Sequence, residues 1–476
     1  MISLHDSTHH LMRHTKLVCT IGPATQDRLP ELIEAGMDLA RINFSHGKSE
    51  TWKATIDAVH EASAAVGRPV GVLVDLAGPK VRLGEFRSGE VELIPGETFV
   101  FEPNGEMGDK NGASTTHRHL SRDLKPGDHI LLADGAAELE VIETGARTIT
   151  QIVRGGLVLS HAGMSVPAER LSLPALTERD RRDLAMALEW QVDFIAQSFV
   201  RSSRDLRQLR ELLRSSSAQI VAKIETRPAI ENLSSIMEEA DALMLARGDL
   251  GVQIPFHEVP LAQKRVIRQS ATAGVPLIIA TQMLESMIHA PRPTRAEATD
   301  AANAVFEGAD ALMMSAETAI GDYPIEAVRA AAAIAMSVEG SGEEFRIEPE
   351  ARPPRSESEA MAWAAVDLAG SESGVKAIAC FTLTGHSATL LSAARPRVPV
   401  FAFCPDPVVV RRLTVRRSVH AFLCDMPSST DDMITTMDER LRENPLLPSG
   451  SLVVMERSGV ADDPFTNFLK IHHLGN

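Results

Sequence analysis

Aromatic side chains are scarce in this 476-residue chain: they make up 4%, with one tyrosine and three tryptophans. Ala, Val, Ile and Leu must therefore build the interior of the two or three domains that this length supports, as in parallel sheets covered by helices. Cations are also in deficit, with 48 Lys and Arg against 64 Asp and Glu and a net charge of −16. That excludes a basic stripe able to neutralise a nucleic-acid backbone, so an anionic substrate must be met by local cations. The four cysteines, Cys19, Cys380, Cys404 and Cys424, lie far apart without CxxC spacing, which points to neither a zinc site nor a disulfide framework. No run of about 18 apolar residues occurs, and Met1 to His14 lacks the apolar core of a signal peptide. A soluble cytoplasmic protein with no membrane partner is expected. The pairs His9-His10 and His472-His473 read as solvated terminal histidines.

What is present is alternation. Short β-branched runs at Lys16–Ile21, Asp38–Phe44, Gly71–Asp75, Asp193–Phe199, Gln219–Ile224, Ala242–Ala246, Pro276–Thr281 and Ala311–Ser315 are separated for the most part by amphipathic segments such as Glu50–Ala65, Glu178–Leu188 and Pro260–Ala273. Eight such units predict an α/β fold built on a (β/α)8 TIM barrel. Residues 80–170 break the pattern, being rich in Gly, Thr, Glu and short β runs, and read as an inserted β-barrel-like lid domain after the third strand. The catalytic barrel then comprises residues 1–79 and 171–339. A polar linker from Glu339 to Ser356 leads to a C-terminal open-sheet α/β domain, 357–476, with strands expected at Val375–Phe381, Val398–Phe403, Val419–Cys424 and Ser451–Met455. There is no internal repeat.

In a barrel of this kind, reacting groups sit at the C-terminal ends of the strands, and nearly every predicted strand here ends in a polar or charged group. Strand two carries Arg41, Asn43 and Ser45, placed on one face by alternation; strand three ends in Asp75, four in Ser198-Phe199, seven in Thr281 and eight in Glu317. A planar Arg fork suits phosphate. Lys223-Ile224-Glu225 puts an ammonium and a carboxylate on one face of strand five, and Asp249 on the next strand adds a second carboxylate. Two carboxylates without a His or Cys nearby suit Mg²⁺. The Arg247-Gly248-Asp249 triplet is not read as an adhesion motif, because it lies at a barrel strand end.

These segments, Arg41 to Gly47, Asp75 to Lys80, Val221 to Glu225, Ala246 to Gly251, Ala280 to Met287, Pro293 to Glu297 and Ser315 to Pro324, resemble those of the pyruvate kinases, in the family's order and across the whole barrel. The resemblance implies transfer of the phosphoryl group of phosphoenolpyruvate to ADP, giving ATP and pyruvate, by a homotetramer. It implies that Arg41 and Lys223 hold the transferring group, that Lys223 offsets charge on the enolate, and that Glu225 and Asp249 bind Mg²⁺, for which Mn²⁺ substitutes. The substrate carboxylate would rest on Gly248, Asp249 and Thr281, with water near Thr281 as the proton donor. Asn43, His46 and Arg82 would face the nucleotide phosphates.

Monovalent-cation sites in the family correspond to Asn43, Ser45, Asp75 and the Leu76 carbonyl. Lys80 stands where K⁺-dependent relatives commonly carry Glu, and Leu76 and Leu83 stand where they often carry threonine. The chain is therefore similar to the K⁺-independent branch, with no K⁺ requirement expected. In the lid, Ala162-Gly163-Met164-Ser165 replaces a Lys-Gly-Val-Asn-like run, while Asp134-Gly135 matches the usual acidic turn. Pro228 and Ile320 are unusual for the family. Thr382, Thr384, Gly385, His386 and Ser387 resemble the family's effector loop and could receive one phosphate of an effector, or serve only as a helix cap. Asp462 and Asp463 in the last loop would repel a second phosphate. A Mg²⁺-dependent lyase on a 2-oxo acid would have no use for Arg41 and Arg82, and a silent scaffold would have lost Lys223, Glu225 or Asp249.

Overall fold

The computed structural model describes residues 11, 13–103, 107–342, 352–371, 374–458 and 466–475. Eight parallel strands close into a barrel: β1 (Lys16–Thr20), β2 (Leu39–Asn43), β3 (Gly71–Asp75), β4 (Phe194–Gln197), β5 (Gln219–Ile224), β6 (Ala242–Ala246), β7 (Leu277–Ala280) and β8 (Ala311–Met314). The ring is completed where β1 pairs with β8, Lys16 opposite Ala311. Both faces of these strands are covered, which is why they read as apolar runs. Alternation still sorts them: Val18, Leu39, Leu73, Phe194, Val221 and Met244 fill the barrel, while Leu17, Ala40, Val72, Ile195 and Ile220 meet the surrounding helices.

The helix starts are written locally. Thr177 and Thr294 accept from the N–H groups of Asp180 and Glu297 at 3.1 and 3.2 Å, and each acid reaches back to the cap N–H at 2.9 and 2.8 Å. These are reciprocal caps. Pro228 falls in the first turn of the helix Arg227–Glu231, where a missing N–H costs nothing. Helices at Arg227–Glu231, Leu233–Met237 and Arg247–Gln253 were not anticipated by periodicity, being too short to show it. The expected strand ends at Phe199 and Thr281 are also corrected. The backbone leaves the extended region there, with φ of +54° and +68°.

Between β3 and β4 the chain leaves the barrel. Val81–Arg82, Gly163–Ser165, His129–Leu132, Ala137–Thr144, Thr148–Arg154, Thr98–Glu102 and Gly112–Ser114 form, in that spatial order, a seven-stranded sheet. Its edges meet where Leu83 bridges Thr115 and the Gly84 N–H donates to the Ser114 carbonyl at 2.8 Å. The sheet curls accordingly around Phe86, Phe99, Ile130 and Leu139.

The C-terminal sheet holds β9 (Val375–Phe381), β10 (Val400–Cys404), β11 (Val419–Leu423), β12 (Leu452–Ser458) and β13 (Thr466–His473), in the order β11-β10-β9-β12-β13. It is parallel except for β13, which the sequence pattern missed and which runs antiparallel to β12. His472 lies on β13, buried and 2.8 Å from Asp438 Oδ1, so the expectation of a solvated terminal histidine fails there. His9, His10, Asp462 and Asp463 lie outside the described residues. All four cysteines are free thiols, and no described helix is long and apolar enough to cross a membrane.

Candidate functional site

Inward-facing positions at the C-terminal ends of β2 and β5 converge on one carboxylate, Asp75 at the end of β3. Arg41 donates to Asp75 Oδ2 through Nε at 2.9 Å and Nη2 at 2.6 Å, and its Nη1 reaches Thr20 Oγ1 at 2.9 Å. Lys223 Nζ lies 3.4 Å from Asp75 Oδ1 and 3.2 Å from Glu225 Oε2, and donates to Ser198 Oγ at 2.8 Å. All are buried. Burial disfavours the Lys223 ammonium, but Asp75, Glu225 and Asp249 outweigh it and raise its pKa, so the lysine is a fixed cation.

The two carboxylates beside that lysine shift in opposite directions. Burial pushes both upward; Lys223 and Arg41 together overcome it at Asp75, which is lowered. Glu225 has Lys223 as its opposing cation and is pushed further up by Asp249, so its pKa is raised. Its Oε1 accepts the Phe199 N–H at 2.6 Å, whereas buried Oε2 accepts no hydrogen bond among the described residues. An oxygen held only by the Lys223 ammonium at 3.2 Å, on a carboxylate repelled by a second carboxylate, fits a divalent cation that keeps water and substrate oxygens as its other ligands. Among the described residues no cluster of three or more His, Cys, Asp or Glu side chains has metal-binding geometry. Glu225 and Asp249 form a pair that supplies only part of a shell.

Asp249, expected at a strand end, sits instead in the first turn of the helix Arg247–Gln253. The Gly248 N–H donates to Thr281 Oγ1 at 2.8 Å, and that hydroxyl donates to the Ala280 carbonyl at 2.6 Å. Thr281 and Gln282 both have positive φ, +68° and +54°, a strained arrangement for two non-glycine residues. Arg247 holds it: Nη2 donates to the carbonyls of Thr281 and Gln282 at 2.9 Å each, and Nη1 to Asp300 at 2.6 Å. Sequence reasoning named Arg247 as a strand-end residue but gave it no role. Glu317 is satisfied by the N–H groups of Leu284 and Ser315 at 3.0 and 2.7 Å.

At the mouth, the strand ends at Asn43, so Ser45 lies in the following turn and not on the strand face. Its N–H donates to Asn43 Oδ1 at 3.1 Å. Nor does Ser45 cap the next helix, which starts at Ser49 after Lys48. The imidazole of exposed His46 is lowered by partial burial and by Lys80, Arg82, Arg41 and Arg179, so four cations surround it. Arg179, which sequence reasoning missed, donates to the Phe44 carbonyl at 2.9 Å. Its signal was a cation in the first turn of a barrel helix. Arg82 Nη1 donates to the His161 carbonyl at 3.1 Å. Lys80 is exposed, and its charge also helps to lower Asp75. The Leu76 carbonyl accepts from Ser198 Oγ at 2.7 Å.

In the C-terminal loop, Thr382 is fully buried and its hydroxyl accepts the Gly385 N–H at 3.0 Å, closing the turn before the helix His386–Ala393. Ser387 is also buried, while Thr384 and His386 are exposed. A cavity of about 610 Å³ lies elsewhere, between the barrel base and β11, lined by Arg13, Lys16, Asp38, Arg68 and His420 among others. None of the mouth residues reaches it.

Residues 12–328 match the family described as "Pyruvate kinase, barrel domain", and residues 359–472 match "Pyruvate kinase, alpha/beta domain". The chain belongs to the pyruvate kinase family. It is 41% identical to a pyruvate kinase of Mycobacterium tuberculosis, over 98% of this chain and 99% of that one. It is 38% identical to that of Bacillus licheniformis, over 98% and 81%. A solved pyruvate kinase from Cryptosporidium parvum superposes with a TM-score of 0.91 at 32% identity, covering 98% of both chains.

Proposed function

We propose that this chain is a phosphotransferase that moves the phosphoryl group of phosphoenolpyruvate to ADP, giving ATP and pyruvate. The observation that carries the reading is the buried arrangement of Arg41, Asp75, Lys223 and Glu225, in a chain of this family. Arg41 presents its guanidinium, oriented by Asp75 and Thr20, to the transferring group. Lys223 brings a permanent positive charge to the same group and to the enolate oxygen left behind. Phosphoryl transfer spreads charge over peripheral oxygens, so fixed cations in a dry site account for much of the acceleration. Glu225 and Asp249 would hold Mg²⁺, or Mn²⁺ in its place, which supplies Lewis-acid stabilisation when bound.

The substrate carboxylate would take over the Gly248 N–H now given to Thr281, together with the Asp249 N–H, and a water near Thr281 Oγ1 would protonate the enolate carbon. Asn43, His46 and Arg82, joined by Arg179, would receive the nucleotide phosphates beneath the lid of residues 80–170. The same reading includes a cytoplasmic homotetramer and an effector phosphate at the Thr382 to Ser387 loop, where the exposed Thr384 and His386 are the groups within reach of solvent.

It also includes independence from K⁺. The Asn43, Asp75 and Leu76 oxygens already accept protein donors, and Lys80 adds a charge that would repel a second cation. A steady-state assay with phosphoenolpyruvate, ADP and Mg²⁺ tests both parts. Full turnover is expected in buffer free of K⁺ and Na⁺, and a K⁺ requirement is expected on Lys80→Glu. A native rate that climbs more than about tenfold on adding K⁺, roughly 1.4 kcal/mol, would refute the monovalent-cation part alone.

A further inference from the structure

An aspartate stands immediately before each even-numbered barrel strand: Asp38 before β2, Asp193 before β4, Asp241 before β6 and Asp310 before β8. Each carboxylate accepts a backbone N–H near the start of the preceding odd strand, from Leu17 at 2.8 Å, Val72 at 2.9 Å, Ile220 at 2.7 Å and Leu277 at 2.9 Å. The four carboxylates peg the strands in pairs at the base of the barrel. Three of these pegs face arginines of the C-terminal domain. Arg395 pairs with Asp310 at 3.0 Å, Arg411 with Asp193 at 2.9 Å, and Arg416 donates to the Asp241 carbonyl at 3.4 Å.

The β3–β4 pair has the most at stake. At its far end β3 carries Asp75, which orients Arg41 and neighbours Lys223; β4 leads into Ser198, which accepts from Lys223, and Phe199, whose N–H holds Glu225. With only four residues, β4 spans about 13 Å at ~3.3 Å per residue, too short to absorb a shift at its base. The helix that bears Arg411, Pro407–Arg412, packs against the 382–387 loop: a Cβ built on Gly385 would lie 3.2 Å from Val409 and 3.3 Å from Leu413. The loop thus has a contiguous packed route to the barrel base.

We propose that Arg411 and Asp193 are a positioning pair for Lys223 and Glu225, through which the C-terminal domain sets the spacing of Asp75, Ser198 and the Phe199 N–H. The inference rests on the roles assigned to Lys223 and Glu225 above. Burial pushes the Asp193 carboxyl up to about 6, against Arg411, the Val72 N–H and Arg412. His60, from the barrel side, also faces Arg411. Above that pH Asp193 is a carboxylate and the pair is intact. Below it Asp193 is neutral and the pair loosens.

The test uses the full chain carrying Arg411→Gln, Asp193→Asn, both together, or Arg411→Lys. Mn²⁺ affinity is measured by electron paramagnetic resonance without substrate, kcat and KM are followed on either side of pH 6, and thermal unfolding checks the fold. Each single substitution is expected to weaken Mn²⁺ binding and lower kcat on the order of tenfold with KM for ADP unchanged. The double variant should be no worse than the poorer single one, Arg411→Lys should recover most of the loss, and Asp193→Asn should lack the fall in kcat that is expected of the native chain below about 6. Folded variants with native Mn²⁺ affinity and kcat, or a double variant whose losses multiply, would overturn the proposal. If Asp193→Asn fails to fold, the two Arg411 variants decide it, since they leave the Asp193–Val72 peg in place. A native chain that binds Mn²⁺ but does not turn over phosphoenolpyruvate would overturn the functional reading instead, while the Mn²⁺ affinities still judge the pair.

Discussion

Lys223 is flanked by Asp75 at 3.4 Å and Glu225 at 3.2 Å, and all three are buried. Lys223→Met is therefore expected to lower phosphoryl transfer by about 10²-fold or more, roughly 3 kcal/mol. Steady-state kinetics measure the loss, and an unchanged far-ultraviolet circular dichroism spectrum verifies the fold. Asp38 shows the same physics used for stability. Burial would raise its carboxyl, but Arg13, Lys16 and Arg68 outweigh that and hold it at about 2, against an ordinary 3.8. A depressed carboxyl stabilises the fold above pH 3.8 and loses that contribution as pH falls through about 2. The contribution is about 2 kcal/mol. Asp38→Asn should flatten this acid limb in urea unfolding, and at neutral pH should cost about 3 kcal/mol because two buried guanidinium groups lose their partner. The identity of Asp38 was visible in the sequence, but its importance was not, since Arg13 and Arg68 reach it from 25 and 30 residues away.

At the scale of elements, the helix Arg247–Gln253 and the turn after β7 behave as one unit. Arg247 spans them by donating to the carbonyls of Thr281 and Gln282, so the positive-φ pair persists although neither residue favours it. Arg247→Gln should release the turn and move Thr281 away from the position proposed for the substrate carboxylate. A loss of roughly ten- to a hundredfold in kcat/KM for phosphoenolpyruvate is expected, with KM for ADP nearly unchanged because His46 and Arg82 lie across the mouth. Kinetics with each substrate varied in turn distinguish this from a general loss of fold. The element itself was hidden from periodicity by its seven residues, and the strain was hidden because φ is set by packing across strands.

For the whole molecule, the C-terminal domain is part of the barrel's core. Val415 is fully buried in the same cluster as Val18, Leu39, Leu73 and Phe194, closing the barrel base like a plug. Val415→Ala should cost about 2 kcal/mol in chemical unfolding. A chain ending at residue 342 should fail to show a cooperative thermal transition, because it would expose that base and leave Asp193 and Asp310 without Arg411 and Arg395.

The sequence by itself determined the eight βα units, the site of the insertion, the family, and that Arg41, Asn43, Asp75 and Lys223 stand toward strand ends. The units, the insertion and those positions follow from periodicity and local spacing, which the chain carries within a few residues; the family follows from the resemblance of its motif segments. Tertiary structure alone decided which strand-end groups share a partner: that Asp75 serves both Arg41 and Lys223, that Arg179 and Lys80 meet at His46, that β13 completes its sheet, and that Arg411 reaches Asp193 across 218 residues. The physical reason is that electrostatic coupling depends on distance and burial, and neither is defined until strands remote in sequence are closed side by side.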